Sequence, residues 1–227
     1  MTATVEQIHL ATVQLPDWHP RIDDGVAEVF GFAVRHPEGV ILVDTGVGTG
    51  NDFIDDVYQP TVSPLVDALN GVGVDERDVQ AIVNTHLHFD HCGQNDVLSR
   101  APIWVTDAEV AVSTQDFYTV PEWAAITPSR RRTARDGEEL AAGVRLLETP
   151  GHTPGHLSVA VDTADGLEVI VGQSCYCQAE FDGTAPPPVV DLHDRAMADV
   201  AHESLNRLRA LHPVDAWFSH EASRPVA

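Results

Sequence analysis

The chain has 227 residues, of which 43% are hydrophobic and 21% charged, as is typical of a globular protein. Its formal net charge of −22 argues against nucleic-acid binding through phosphate neutralisation. We find neither a secretory signal pattern nor an apolar run long enough to cross a bilayer, so we expect no membrane contact and a cytoplasmic location. The three cysteines, at positions 92, 175 and 177, do not indicate a disulfide framework.

The first half of the chain alternates apolar runs with turns. Ser63 and Pro64 predict the start of an amphipathic helix with Ser63 as its N-cap. Thr106 and Glu109 predict a capping box at the start of a later helix. Strands are predicted over 5–15, 29–34, 40–43, 81–83 and 103–105.

The segment His86-Leu87-His88-Phe89-Asp90-His91 follows the predicted strand over 81–83 directly. Imidazole and carboxylate groups are ligands for zinc and iron. Side chains of an extended segment alternate in direction, so His86, His88 and Asp90 are expected on one side. His91 is expected on the other side, which allows the loop to supply two neighbouring ions. The alternative, a His-rich surface loop, is disfavoured by four donors at this spacing.

The segment 113–136 has a different character, with three aromatic residues followed by the arginine run 130–132. One interpretation is an irregular excursion with a solvated basic face. The other is a lid whose aromatic side chains line a substrate pocket and whose arginines meet an anionic group. For the second interpretation, the candidate pocket residues are Phe89, Phe117, Tyr118 and Trp123.

The second half repeats the alternation, which predicts one domain over 1–227 built from two similar β-rich halves. Two further histidines follow predicted strands: His152 lies in a tight Gly/Pro loop, and His220 follows the last strand. A helix is predicted over 194–211 from its apolar stripe. The remaining strands are predicted over 144–147, 157–161, 169–171 and 216–218.

The order Asp44-Thr45-Gly46, His-x-His-x-Asp-His, Gly151-His152 and Ser219-His220 resembles the metallo-β-lactamase superfamily over nearly the whole chain. The resemblance implies an α/β fold, an αββα sandwich of two mixed β-sheets flanked by helices, with a metal centre at the sheet edges. We expect Asp44 to hold the metal-binding loop through hydrogen bonds. Within the superfamily, the motif with its Gly93 and Asn95 is most similar to N-acyl homoserine lactonases.

This resemblance also implies roles for individual residues. The first metal would be held by His86, His88 and His152, and the second by Asp90, His91 and His220. Zinc is the expected metal, as one or two ions, and iron or manganese would suit the same donors. Asp90 and Tyr176 would be catalytic, with the Tyr176 hydroxyl donating a hydrogen bond to a developing oxyanion or leaving alkoxide.

Position 173 departs from the family pattern, because a glutamine stands where the family usually has an aspartate that bridges both ions. A carboxamide carries no charge and bridges two dications poorly. Three outcomes are open: a labile dinuclear site, a mononuclear site, or a thiolate ligand from Cys175 or, less favourably, Cys177. Buried cysteine more often packs as a small hydrophobic residue.

The sequence therefore predicts a metal-dependent hydrolase that opens a small ester or lactone similar to an acyl homoserine lactone. One alternative is a hydrolase or biosynthetic enzyme acting on a thioester, a phosphotriester or a secondary-metabolite intermediate. The other is a non-catalytic member that binds a metal or ligand. His156 is expected to be structural. The remaining histidines lack a partner motif and are expected to be ordinary residues: His9, His19, His36, His193, His202 and His212.

Overall fold

Two β-sheets form the centre of the computed structural model, which describes residues 2–19, 21–185 and 195–222. The first sheet contains β1 (Thr4–Gln14), β2 (Val26–His36), β3 (Gly39–Val43), β4 (Thr61–Val62), β5 (Val79–Val83), β6 (Ile103–Val105) and β7 (Arg131–Thr133). The second contains β8 (Glu139–Ala141), β9 (Val144–Glu148), β10 (Leu157–Asp162), β11 (Leu167–Gly172) and β12 (Asp215–Phe218).

Most of the helices are short. They are α1 (Asp52–Tyr58), α2 (Leu65–Gly71), α3 (Phe89–Cys92), α4 (Asp107–Val112), α5 (Pro121–Ala124), α6 (Gln178–Phe181) and α7 (Arg195–Arg209). Turns of 3₁₀ helix cover Ile22–Asp24, Glu76–Asp78 and Asn95–Leu98. Within the described ranges, none of the helices is both long and apolar enough to span a bilayer.

Both sheets are mixed. The first has the order β4-β1-β2-β3-β5-β6-β7, in which β4 to β3 pair antiparallel and β3 to β7 pair parallel. The second has the order β12-β11-β10-β9-β8, in which only β11 and β12 are parallel. Parallel neighbours need a crossover, and these crossovers bring helices to the outer faces of the sheets.

Three layers of apolar packing confirm the predicted αββα sandwich. Between the sheets, Phe32 and Val43 of the first pack with Leu146 and Val159 of the second. The outer face of the first sheet packs against α1 and α2, and that of the second packs against α6 and α7. The central strand β2 is buried along most of its length, because both of its faces are covered.

Two predicted helix starts differ from the observed ones. Helix α2 begins at Leu65 with Pro64 in the capping position, and no cap side chain bonds to it. The backbone N–H of Leu65 instead donates to Gln94 Oε1 at 2.8 Å. Thr106 caps α4 as predicted, but the Glu109 side chain does not close a capping box. The predicted helix over 194–211 is observed as α7, and Asp194 lies outside the described residues, as does His193.

The segment 113–136 is partly built into the sandwich, because β7 is the edge strand of the first sheet. The side chains of Arg130 and Arg131 bond to the protein itself. Arg130 donates to the backbone carbonyls of Ala101, Asn95 and Leu98, and Arg131 pairs with Asp107. The interpretation in which these arginines meet an anionic ligand is therefore wrong for Arg130 and Arg131.

Candidate metal centre

The residues singled out by the sequence lie in loops that follow the C-terminal ends of strands. Asp44 follows β3, the His86–His91 segment follows β5, His152 follows β9, and His220 follows β12. The loop with Gln173 and Tyr176 follows β11. Because the two sheets pack face to face, these loops meet at one edge of the sandwich.

Three imidazoles meet in the first cluster, which consists of His86, His88 and His152 and is called the first triad here. The Nδ1 atom of His88 lies 3.0 Å from His86 Nε2 and 3.1 Å from His152 Nε2. One ligand atom from each side chain lies within 4.8 Å of the others. Three nitrogens at this separation match the donor set of a metal ion.

The second triad consists of Asp90, His91 and His220. Asp90 Oδ2 lies 3.6 Å from His91 Nε2 and 3.8 Å from His220 Nε2. The rings of His86 and His91 are only 3.9 Å apart between centroids, so the two triads adjoin. The side chains of the His86–His91 segment point in two directions, as predicted. Side-chain alternation placed Asp90 on the side of His86 and His88, but Asp90 joins His91 instead, because the extended segment ends where α3 begins at Phe89.

His220 provides a direct test of whether the second triad suits a metal ion. Its Nδ1 bonds to the backbone carbonyl of Glu28 at 2.8 Å. Its Nε2 is buried and has no hydrogen-bond partner among the described residues. A buried polar atom without a partner is costly, and a metal ion would satisfy it. The donor set therefore fits a metal.

Burial keeps the first triad in the form that binds metals. It lowers the pKa of His86 and of His152 well below the usual value, and the neighbouring imidazoles act in the same direction. Burial likewise lowers the pKa of His88 to about 4, against the opposing charge of Asp90. Neutral imidazoles keep a lone pair on nitrogen at neutral pH, so these three side chains can act as ligands without first losing a proton.

The electrostatics of the second triad differ. Burial acts to lower the pKa of His91, but the carboxylates of Asp90 and Asp44 outweigh it and raise that pKa to about 9. Burial opposes the charge on Asp90, yet the surrounding imidazoles, His91 foremost, hold its pKa below the usual value. The second triad therefore contains a carboxylate at neutral pH.

Asp44 anchors the metal-binding loop, as the sequence suggested. Its carboxylate accepts hydrogen bonds from the Thr85 backbone N–H at 2.8 Å and the Thr85 hydroxyl at 2.7 Å, and it contacts His91 Nδ1 at 2.7 Å. Asp44 has a φ of 61°, a left-handed conformation that aspartate tolerates better than most residues. The contact with Nδ1 fixes the ring so that Nε2 of His91 faces Asp90 and Gln173.

Glu109 belongs to the site, although its sequence pattern predicts only helix capping. Its buried carboxylate accepts the Leu87 N–H at 2.8 Å and the Thr153 hydroxyl at 2.7 Å, and also the Tyr118 hydroxyl. Burial raises the pKa of this carboxyl, while these donors act to lower it. Leu87 and Thr153 adjoin the ligating positions of the first triad, so Glu109 joins the two loops that form it.

Gln173 lies beside the second triad and connects it to Tyr176. Its Oε1 is 3.1 Å from His91 Nε2, and its Nε2 donates to the Tyr176 hydroxyl oxygen at 2.7 Å. The Tyr176 ring stacks on the His220 ring with centroids 5.2 Å apart. Burial raises the pKa of Tyr176 to about 12, so the phenol stays protonated at neutral pH.

Cys175 belongs to neither triad. Its side chain is buried with Leu147, Val169 and Phe181 on the helix-facing side of the second sheet, and burial raises the pKa of its thiol well above the usual value. The alternative in which Cys175 supplies a thiolate is therefore wrong. Cys177 is also outside both triads. His156 is structural as expected: it contacts Thr149 Oγ1 at 2.9 Å and accepts the Gln173 N–H at 3.1 Å.

The triads open into a cavity of about 1840 Å³. Of the four predicted pocket residues, Phe89, Phe117 and Tyr118 line it. Trp123 is absent from its walls, and the prediction for this residue is wrong, because its ring packs against the backbone at Gly48 and into the apolar cluster around Leu87.

Comparison with known proteins identifies the family to which this chain is similar. The family model described as the metallo-beta-lactamase superfamily matches residues 25–211. An N-acyl homoserine lactonase of Bacillus sp is 30% identical over 195 residues, which is 80% of this chain and 75% of the relative. An N-acyl homoserine lactonase of Bacillus cereus is 29% identical over 195 residues, with the same coverage.

Solved structures agree with the sequence comparison. A quorum-quenching N-acyl homoserine lactone lactonase has a TM-score of 0.76 at 26% identity, covering 97% of this chain and 93% of its own. A variant of B. thuringiensis AiiA with N-decanoyl-L-homoserine bound at its active site also has a TM-score of 0.76, at 24% identity, covering 97% and 94%.

The αββα fold and the two adjoining triads define a metal-dependent hydrolase, as predicted. The chain belongs to the metallo-β-lactamase superfamily, and the relatives it is similar to include N-acyl homoserine lactonases.

We expect Glu109→Ala to lower the free energy of unfolding by about 3 kcal/mol or more, because each buried donor left without an acceptor costs roughly 1–3 kcal/mol. Tyr118→Phe should cost only about 1 kcal/mol, because it removes one donor and leaves the carboxylate paired. Urea unfolding of metal-free protein measures both losses. Equal losses in the two variants would contradict the role given to Glu109.

Proposed function

We propose that this protein hydrolyses the ring ester of a small lactone, with N-acyl homoserine lactones as the leading substrate class. The observation that carries the proposal is the pair of adjoining triads within a large cavity. The relatives named as N-acyl homoserine lactonases support the choice of substrate. We further propose that it acts in the cytoplasm on small molecules, with no nucleic-acid or membrane partner.

In this proposal the first triad holds one metal ion and the second triad another, with zinc as the expected metal and iron or manganese as substitutes. A metal bound there would lower the pKa of water and polarise the carbonyl of the substrate. Asp90 is ionised at neutral pH, because the imidazoles around it hold its pKa low. It therefore serves as a ligand and can accept the proton that an attacking water releases.

Tyr176 supplies a hydrogen bond to the reacting oxygen in this proposal. Its oxygen already accepts a hydrogen bond from Gln173, so its own proton can be donated to a substrate atom. Because its pKa is raised to about 12, the proton is present throughout the neutral range. Tyr176 also lines the cavity, as a group that touches substrate must.

The apolar part of the cavity suits an acyl chain. Phe89 and Tyr58 contact each other with ring centroids 4.5 Å apart, and both line the cavity together with Leu15 and Ile54. A volume of about 1840 Å³ exceeds the roughly 300–1,000 Å³ common for small-molecule sites, so a long chain fits. Residues 113–121 also line this cavity, which supports a covering role for the first part of 113–136.

The proposal predicts turnover of N-hexanoyl- and N-decanoyl-L-homoserine lactone by zinc- or manganese-loaded protein, measured as proton release on ring opening. His88→Ala should lose both the ion of the first triad and turnover, because a donor nitrogen is removed from its centre. His202→Ala, an exposed histidine away from the site, is the control and should retain both.

Full lactonase activity of the wild type after metal removal would contradict the proposal. Turnover confined to thioesters or phosphotriesters would favour the alternative hydrolase. Lactone binding without any turnover would favour a non-catalytic member.

We expect Tyr176→Phe to lower kcat for the lactone by roughly 100-fold, the size of effect seen when one oxyanion donor is lost. Metal content should stay unchanged, because the hydroxyl belongs to neither triad. Steady-state kinetics and elemental analysis of the same preparation measure both quantities. An unchanged kcat would show that the hydroxyl has no part in the reaction.

Gln173 should make the second triad the weaker metal site, because a neutral carboxamide stabilises a dication less than a carboxylate does. We expect Gln173→Asp to retain its second ion at chelator concentrations at least about tenfold higher than the wild type. The control is Gln80→Glu, which adds the same charge at an exposed position. Equal retention of two ions by the wild type and Gln173→Asp would contradict this expectation.

A further inference from the structure

Arg21 lies outside every motif that the sequence singled out, yet it reaches the site. It follows β1 in the chain, and its guanidinium carbon lies 4.5 Å from the centroid of the Tyr176 ring. Both residues line the cavity. A cation over the face of a tyrosine ring is attracted by the electrons of the ring. Arg21, which lies between β1 and β2 of the first sheet, thus places a positive charge beside Tyr176, which follows β11 of the second sheet.

Two carboxylates fix the guanidinium. Arg21 Nε donates to Asp24 Oδ2 at 2.6 Å, and Nη1 donates to Glu180 Oε1 at 2.7 Å. The Glu180 side chain is only 8% exposed, which gives this ion pair more weight than a surface pair has. Held at two nitrogens, the planar group has little freedom to leave the ring.

Glu180 also binds Tyr176 directly. Its second oxygen, Oε2, accepts the backbone N–H of Tyr176 at 2.8 Å. One buried carboxylate therefore holds both the main chain of Tyr176 and the cation over its ring. The ring itself stacks on His220, and the hydroxyl receives a hydrogen bond from Gln173. The backbone N–H, the ring and the hydroxyl of Tyr176 are thus each held by a contact.

We infer that Arg21 is a positioning residue for Tyr176: with Glu180 it holds the ring beside His220, and its charge strengthens the hydroxyl as a hydrogen-bond donor. The inference rests on the proposed role of the Tyr176 hydroxyl. A positive charge over the ring withdraws electrons from the phenol.

The kinetic test compares Arg21→Met, which lacks the charge, with Arg21→Lys, which keeps it. Arg21→Met should lower kcat about tenfold through misplacement of the donor, and Arg21→Lys should restore part of the loss. Arg21→Gln keeps a hydrogen bond to Glu180 without the charge, and it replaces Arg21→Met if that variant fails to fold. Arg145→Met, which breaks an exposed pair with Asp162, is the control and should leave kcat unchanged.

A double-mutant cycle separates positioning from general support of the structure. If Arg21 acts through the Tyr176 hydroxyl, Arg21→Met should have no further effect on kcat in a Tyr176→Phe background. A tenfold loss in both backgrounds would overturn the inference, because it would mean that Arg21 only compensates the charge of Glu180.

A measurement without turnover distinguishes failure of this inference from failure of the proposed function. The chain has three tyrosines, so ¹³Cζ labelling gives one signal for each, and Tyr176→Phe identifies the signal of Tyr176. In zinc-loaded protein, Arg21→Met should shift that signal and leave Tyr118 unmoved. An unmoved Tyr176 signal would overturn the inference. A shifted signal in a protein without lactonase activity would support the positioning role and contradict only the proposed substrate.

Discussion

The site depends on the fixing of an irregular loop by buried carboxylates. The His86–His91 segment carries four of the six candidate ligands; it lies outside the strands, and its last three residues begin the short helix α3. Asp44 bonds to Thr85 just before the segment and to His91 at its end, while Glu109 receives the N–H of Leu87 in its middle. Each carboxylate is satisfied by several donors, which offsets the cost of burying it.

Buried carboxylates also join parts of the chain that are distant in sequence. Glu109 connects the loops after β5 and β9, so that the first triad is drawn from two sheets. Glu180 connects Arg21 with Tyr176, again across the sandwich. The edges of the two sheets lie beside the same cavity. Buried carboxylates hold the loops at these edges at a fixed separation. Preorganisation of this kind is what a metal centre needs from its surroundings.

Gln173 places a neutral side chain beside the second triad. The carboxamide lies against His91 and Tyr176, so it connects the second triad to the proposed donor without adding a charge. Asp90 is then the carboxylate of that triad, and the surrounding histidines keep it ionised. In our proposal, this arrangement positions Tyr176 by hydrogen bonding and binds the second ion less tightly than a bridging carboxylate would.

The sequence by itself determined the αββα class, nine of the twelve strands and the residues that form both triads, whereas the short strands β4, β7 and β8 were not predicted. Apolar periodicity predicted the strands, and donors at fixed spacing after strands predicted a metal site. The αββα class and the division of the donors into two triads came from the resemblance of these motifs to the superfamily. Only the tertiary structure decided the roles of Glu109 and Arg21, the burial of Cys175 away from the site and the packing of Trp123 beneath Gly48. Each of these depends on contacts between segments far apart in the chain. Spacing along the sequence carries no information about which loop a long side chain will meet.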